Sequence, residues 1–458
     1  MQIHPSDNVE VRDDGQKYAL KTIKTDENVI KYGYPIGSAK CEIQAGEKVS
    51  PKNLRSNLQG MGEWTYTPAK TVSIGSKTGE FMGYLRKNGD VGIRNELWIV
   101  PTVGCINDIA KSIAEKTGGK ALTHPYGCSQ LGNDLHTTQK ILCGLIKHPN
   151  AGGVLVLGLG CEENGIGEMI KVLGDYDKKR IRFINIQDCK DEIAEGIYVA
   201  NELKAIINTD KKTPVPISKL RIAVKCGGSD GYSGITANPL VGRAMEKFAD
   251  YGATILMSEI PEVFGAEQLL LSRSENEEVF NEVANLIRAF RKYFIDHGEG
   301  ISDNPSPGNI AGGISTLEEK SLGCVQKAGN VILRGALNFG EMPKSSGGLY
   351  LVNGPGNDMV AVTNLAASGA HIILFTTGRG TPLAAPIPTV KISTNSNLAT
   401  RKPHWIDFNA GVLLDGANMD KLSEYLFNLC CDIANGQEPK SEAKRYYDIA
   451  IFKDGVTL

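Results

Sequence analysis

A small, mainly β N-terminal domain followed by a two-lobed α/β region with largely parallel sheets is the architecture this sequence predicts. Three observations predict it. The 458 residues exceed the size at which one hydrophobic core keeps growing, so more than one domain is expected. The first sixty or so residues carry short apolar stretches broken by Gly and Pro. Beyond about residue 80 the texture changes to strand, loop, helix, an alternation that favours parallel sheets.

Residues 1–62 contain Val29-Ile-Lys-Tyr-Gly-Tyr-Pro-Ile-Gly37 and a turn at Gly46, and read as the small β domain. Residues 63–79 are polar and aperiodic and read as a linker. In 80–215, the first lobe, the apolar runs 97–103 and 154–157 each lead into helical sequence. In 216–458, the second lobe, the runs 221–226, 254–257 and 371–375 repeat the pattern. Between them Val279, Val283, Ile287 and Phe294 fall near one helical face, with Arg288 and Lys292 on others.

Charge excludes whole classes of partner. Lys plus Arg number 50 and Asp plus Glu 52, so neither a basic field for nucleic acid nor an acidic one for cationic partners exists. The longest apolar runs are too short to span a bilayer, and the first residues lack the features of a secretory signal, so the cytoplasm is expected. In a reducing compartment the ten cysteines are free thiols or metal ligands.

Chemistry is expected at glycine-rich loops, because open α/β sheets bind ligands at the carboxyl ends of their strands. Four loops have that character: Gly158-Leu-Gly-Cys-Glu162, Cys226-Gly-Gly-Ser-Asp-Gly231, Gly354-Pro-Gly-Asn-Asp358 and Thr376-Thr-Gly-Arg-Gly-Thr381. None has dinucleotide or phosphate-loop spacing. Arg379, between two glycines, and Arg94, followed by Asn95, are candidates to grip a carboxylate at two points. Ser229, Asp230 and Asn309 are candidate hydrogen-bonding partners for a polyol. Cys128, Cys161, Glu162 and Cys226 are candidate ligands for a borderline metal, with His124 beside them. Glu318 and Lys320 follow Thr316, which has the character of a helix cap. With His124 they are the candidates for proton transfer.

Longer motifs carry a resemblance. The stretches 89–98, 101–107, 126–132 and 158–162, then 227–231, 234–239, 262–267, 304–308, 375–382 and 404–411, are similar to those of the altronate dehydratase family, and the likeness reaches the C-terminus. It implies an N-terminal domain of the SAF type. It also implies a hydro-lyase that removes water from a sugar acid, D-altronate giving 2-dehydro-3-deoxy-D-gluconate, supported by iron(II) or manganese(II). Two places depart from the family pattern. Gly15-Gln-Lys17 stands where Gly-His-Lys is usual, and Ser50-Pro-Lys-Asn53 where a His-x-His-Asn run is usual, so Gln16, Ser50 and Lys52 replace or displace histidines.

The mechanism this implies is metal-assisted loss of the C2 proton and then of the C3 hydroxyl. The expected partner is a small sugar acid, with neither nucleic acid nor membrane, and a homo-oligomer is left open. Competing readings are a related lyase for galactarate or sulfolactate, a binding protein without turnover, and an iron–sulfur hydro-lyase using Cys128, Cys161 and Cys226.

Overall fold

The computed structural model describes residues 3–458. Its N-terminal part is two small antiparallel sheets, Val9–Val11, Lys17–Ala19 and Lys48–Val49 in one, Asn28–Lys31, Tyr34–Ala39 and Leu54–Arg55 in the other. Strands this short cannot stand alone in water. They are held by a common core in which Ile23, Val29, Ile36 and Ile43 are fully buried. The mainly β N-terminal region and the parallel sheets beyond it match the predicted fold class.

Residues 63–79 contain no helix or strand, yet their backbone is pinned to the second lobe. Ala69 N–H donates to Ser272, Val72 to Asn330 and Gly75 to Ala249. After them Glu80–Leu85 pairs antiparallel with Thr213–Pro216, so the two ends of the first lobe are stitched together where they meet the second.

The first lobe is a four-stranded parallel sheet in the order Lys120–Ala121, Glu96–Pro101, Ala151–Gly158, Ile181–Asn185. The second lobe holds a seven-stranded parallel sheet. Its order is Leu333–Leu337, Gly348–Val352, Thr254–Met257, Arg221–Cys226, Ile372–Thr377, Thr389–Ser393, Phe408–Asn409. Its inner strands are buried along their length, as parallel strands covered on both faces must be. The chain builds this sheet outward from Arg221–Cys226 in one direction, then returns to Ile372–Thr377 on its other side. The direction of winding therefore reverses between these two strands, which is where an open α/β sheet leaves a crevice at its carboxyl edge.

The lobes share a core. Trp98, Leu142 and Val154 of the first pack in one cluster with Leu256, Val362 and Phe375 of the second. Helix Gly132–Ile146 approaches helix Asp358–Ala367 closely enough that a Cβ on Gly144 would lie 2.3 Å from the Ala367 carbonyl oxygen. In helix Glu277–Asp296 the buried face runs through Phe280, Val283, Ile287 and Phe290. Val279 and Phe294 flank that face and are only partly buried.

Candidate functional site

Two loops meet at the winding reversal. Gly227 N–H donates to Thr376 O at 3.0 Å, and the N–H groups of Gly378 and Arg379 both reach Gly228 O, at 3.1 and 3.0 Å. This backbone contact brings Arg379, exposed, together with Ser229 and Asp230, both buried. Asp230 organises the loops. Its carboxylate accepts from Thr394 Oγ1 at 2.8 Å, Asn395 Nδ2 at 3.0 Å and Ser233 Oγ at 3.1 Å. Asn309 joins from the helix Pro307–Ala311, which Ser306 caps, and donates through Nδ2 to Ser229 O at 3.0 Å. Among the described residues Ser229 Oγ is buried without a hydrogen-bond partner.

Behind these loops lies a buried charge network. Lys225 Nζ touches Asp358 Oδ1 at 2.6 Å and Glu259 Oε1 at 2.5 Å. The other oxygen of Glu259 meets Lys327 Nζ at 2.7 Å, and Lys327 also donates to Cys226 Sγ at 3.1 Å. Cys226 and Cys324 approach Glu262 Oε2 at 3.2 and 3.6 Å, and Glu262 Oε1 pairs with Lys320 Nζ at 2.7 Å. Lys320 then reaches toward the mouth, 3.2 Å from Asn304 Oδ1 and 3.4 Å from Asn309 Oδ1. A cavity of about 510 Å³ abuts the network, lined by Asn304, Pro261, Gly356 and aromatic side chains including Phe290 and Phe294.

Burying ions costs several kcal/mol each even after relaxation, and a buried pair rarely repays more than that cost. Stability alone is therefore a poor reason to gather Lys225, Glu259, Glu262 and Lys327, all buried, with the partly buried Lys320 and Asp358 in one place. Glu259 also holds a left-handed φ of 70°, a conformation that costs a non-glycine residue about 1–3 kcal/mol and collects at functional sites. Among the described residues, the donor atoms of Cys226, Glu259, Glu262 and Cys324 lie within 4.8 Å of one another, a candidate metal site.

Protonation follows from the neighbours. Burial opposes ionisation of Glu262, but Lys320, Lys225 and Lys327 outweigh it and hold its carboxyl down at about 2. Burial likewise works against the Lys320 charge, and Glu262 with Cys226 overcomes it, so the ammonium is held above its ordinary value. Burial, reinforced by Cys226, pushes the Cys324 thiol well up. At neutral pH Lys320 is therefore held as the ammonium.

The N-terminal domain roofs the mouth. Lys17 and Lys31 both pair with the buried Glu319, each at 2.8 Å, one residue from Lys320. Tyr232 OH donates to Asp13 O at 2.6 Å, and a Cβ on Gly231 would collide with the Gly15 carbonyl at 2.0 Å. Gln16 Nε2 points at Ala311 O, 3.4 Å away. Ser50 and Lys52 sit in a turn closed by Asn53, and the preceding Val49 offers its carbonyl to Ser315. Gln16 thus faces the end of the helix that carries Asn309.

The structure brings Lys320, Arg379, Ser229, Asp230, Asn309 and Cys226 to one end of the second sheet. The other expected residues stand elsewhere. His124 is buried in the first lobe, its Nε2 2.9 Å from Pro101 O and its Nδ1 accepting from Tyr126 N–H; burial lowers its pKa to about 4. Glu318 accepts from Ser56 Oγ at 2.9 Å and Asn57 N–H at 2.6 Å, tying the end of the small domain down. Arg94 spends its donors on Glu442 and on the carbonyls of Ile93, Ile433 and Gln437, while Asn95 bonds Arg86 and Ile207 O. Glu162 closes its own loop through Thr102 Oγ1, Leu159 N–H and Gly160 N–H. Cys128 and Cys161 are exposed on the first lobe.

Sequence reasoning passed over Lys225, Glu259, Glu262, Cys324 and Lys327. One signal was present. Lys225 interrupts an otherwise apolar buried strand, and a charge there demands a partner.

Three family models match the chain. Residues 2–57 match the altronate/galactarate dehydratase SAF domain, 83–208 the second domain of D-galactarate dehydratase/altronate hydrolase, and 217–457 the D-galactarate/altronate dehydratase C-terminal domain. The chain is 47% identical to altronate dehydratase of Bacillus subtilis (strain 168) over 466 residues, covering 98% of this chain and 94% of that protein. It is 47% identical to altronate dehydratase of Escherichia coli (strain K12) over 456 residues, covering 97% and 92%. With galactarate dehydratase (L-threo-forming) of Escherichia coli (strain K12) the identity is 30% over 459 residues, covering 93% and 86%. Together with the buried thiol and carboxylate cluster, these likenesses define an enzyme of the carbon–oxygen hydro-lyase class. The chain belongs to the altronate/galactarate dehydratase family. No described helix is long and apolar enough to cross a membrane.

Proposed function

We propose that this chain dehydrates D-altronate to 2-dehydro-3-deoxy-D-gluconate in the crevice at the carboxyl edge of the seven-stranded sheet. The observation that carries the reading is the convergence of Cys226, Glu259, Glu262 and Cys324 directly behind Lys320 and the Arg379 loop. Two sulfur and two carboxylate donors fit a borderline dication, and they favour iron(II) over manganese(II), which prefers oxygen ligands. When bound, such an ion supplies Lewis-acid stabilisation of the negative charge that develops beside the substrate carboxylate.

The protein's own groups supply the rest. Arg379 is the bidentate donor for the substrate carboxylate. Ser229 Oγ and the Asn309 amide hydrogen-bond the polyol. Lys320, kept as ammonium by Glu262, delivers a proton to the C3 hydroxyl, which leaves as water, and the amine so formed takes up the C2 proton and regains its charge. Asp230 holds the Gly228 and Gly378 loops in register, so its role is positioning.

The test is anaerobic incubation of purified protein with D-altronate, galactarate or sulfolactate and either metal, with detection of the keto acid. Product from altronate, lost in Cys226→Ser and Cys324→Ser together with iron binding, is expected. Because both thiols must lose protons to bind metal, iron affinity rises with pH. Product from galactarate or sulfolactate alone would reassign the substrate, and tight altronate binding without product would make the protein a sugar-acid receptor.

A further inference from the structure

Cysteine is among the most buried residue types, so exposed thiols gathered in one place call for a reason. Among the described residues four cysteines are exposed: Cys41, Cys105, Cys128 and Cys161. Three of the four stand at the carboxyl edge of the first lobe's sheet. Cys105 follows strand Glu96–Pro101, Cys128 follows Lys120–Ala121 and Cys161 follows Ala151–Gly158, three strands that are neighbours in the sheet.

Each of these cysteines is preceded by a glycine, and each glycine lets its loop lie hard against another. A Cβ on Gly127 would meet Thr102 O at 2.1 Å, one on Gly104 would meet His124 O at 2.9 Å, and one on Gly160 would meet Gln187 Oε1 at 2.8 Å. Hydrogen bonds lock the same loops. Gly104 N–H donates to Tyr126 O at 2.8 Å, Asn164 N–H to Gly127 O at 3.1 Å, and Asn164 Nδ2 to Thr102 O at 2.8 Å. Ser129 N–H donates to Glu163 Oε2 at 2.7 Å, and Gln187 Nε2 lies 3.7 Å from Cys161 Sγ. The three thiols therefore sit on one rigid rim.

A second observation points to a ligand there. Gln130 and Asn164 belong to these loops and are 1% and 0% exposed, yet among the described residues Gln130 Nε2 and Asn164 Oδ1 have no hydrogen-bond partner. The fourth strand, Ile181–Asn185, is followed by Cys189, but that thiol is partly buried and donates to Asn185 O at 3.3 Å. The three thiols of the rim are instead open to solvent, with only long contacts from Ser129 Oγ to Cys128 at 3.8 Å and from Gln187 to Cys161. They are absent from the one set of donors close enough to share a single ion, which is the Cys226 cluster in the other lobe. Their loops are joined by the Gly104–Tyr126 and Asn164–Gly127 hydrogen bonds, so a ligand several atoms across, bound through thiolates, is the kind that this rim offers to hold.

We propose that Cys105, Cys128 and Cys161 hold an iron–sulfur cluster through three thiolates, leaving one iron without a protein ligand. The site is separate from the Cys226 cluster and does not rest on the substrate assignment. The test uses the full chain, purified without oxygen and reconstituted with ferrous iron and sulfide under reductant. Acid-labile sulfide, bound iron, visible absorption and electron paramagnetic resonance after mild oxidation are the readouts. Labile sulfide and a broad visible band are expected in the wild type, in Cys41→Ser and in Cys226→Ser. Each should fall at least tenfold in Cys105→Ser, Cys128→Ser and Cys161→Ser.

Thiol alkylation of the wild type, mapped by mass spectrometry, keeps the proposal falsifiable if a variant does not fold. Loading should protect Cys105, Cys128 and Cys161 and leave Cys41 reactive. Bound metal without labile sulfide, a chromophore that survives the three substitutions or disappears with Cys226→Ser, or equal alkylation before and after loading would each overturn the assignment.

Discussion

Replacing Glu319 by glutamine keeps the shape of a side chain that two lysines share, and removes its charge. Glu319 is about 1% exposed, Lys17 and Lys31 are as deeply buried, and each ammonium lies 2.8 Å from a separate carboxylate oxygen. Burial opposes the Glu319 charge, but the two ammonium groups overcome it and hold the carboxyl below its ordinary value. Without the carboxylate, two buried cations face each other across the junction between the N-terminal domain and the second lobe. Breaking a buried pair from one side costs about 3–5 kcal/mol. If that cost falls on the junction, the undocked population rises by about 100- to 4,000-fold, at tenfold per 1.4 kcal/mol.

Amide hydrogen exchange by mass spectrometry reads this directly. Peptides within residues 9–55 should exchange faster by that factor, while those from strand Arg221–Cys226 stay protected. Asp26→Asn is the control. Its pair with Arg55 is exposed on both sides, so its loss should cost no more than about 1 kcal/mol. Unchanged exchange in Glu319→Gln, or a rise no larger than in the control, would refute the argument that this buried triad fastens the domain. The pH dependence has a definite sign. Burial, aided by Lys31 and opposed by Glu319, lowers the Lys17 pKa to about 8. The folded state therefore binds fewer protons than the unfolded chain between pH 8 and 10.5, and docking should strengthen as the pH rises through that window.

Three further outcomes are expected. Burial keeps His124, His148 and His371 neutral, with the first two at about 4 and about 3, so all three bind protons more readily when unfolded. Stability should then fall as the pH drops below 6.5, by up to about 4 kcal/mol per pH unit for the three together, checked by urea midpoints between pH 7 and 5. Lys391 is buried, has no hydrogen-bond partner for Nζ among the described residues, and lies 3.6 Å over the Phe375 ring. Its burial lowers its pKa to about 7, so wild-type stability should rise from pH 7 to 10, and Lys391→Met should flatten that rise and stabilise the protein at pH 6.5 by ~2 kcal/mol or more. Arg94→Met should lower thermal stability by about 3 kcal/mol or more with KM for altronate unchanged, because Arg94 is committed to Glu442 and to carbonyls of the fold. Arg379→Met should raise KM at least tenfold with little change in melting temperature, a contrast that steady-state kinetics and calorimetry resolve.

By itself the sequence determined the chain's periodicities, its turn chemistry and its long motifs. Those are local properties, readable from neighbours along the chain, and from them came the α/β class, the β character of the first residues, the family and the choice of the Gly227 and Gly378 loops as candidates. Lys225 was legible in principle, as a charge inside the apolar strand Arg221–Cys226. Its partners were not, because Glu259, Lys327 and Asp358 come from separate elements and meet it only when the seven-stranded sheet is assembled. The same holds for Arg94 and Arg379. Both are loop arginines within two residues of a glycine, and nothing local tells which of them the fold will use. Glu442, some 350 residues away in sequence, engages one, while the winding reversal of the sheet exposes the other. Whether a charged side chain serves the fold or a ligand depends on which groups surround it in space, and that only the tertiary structure decided.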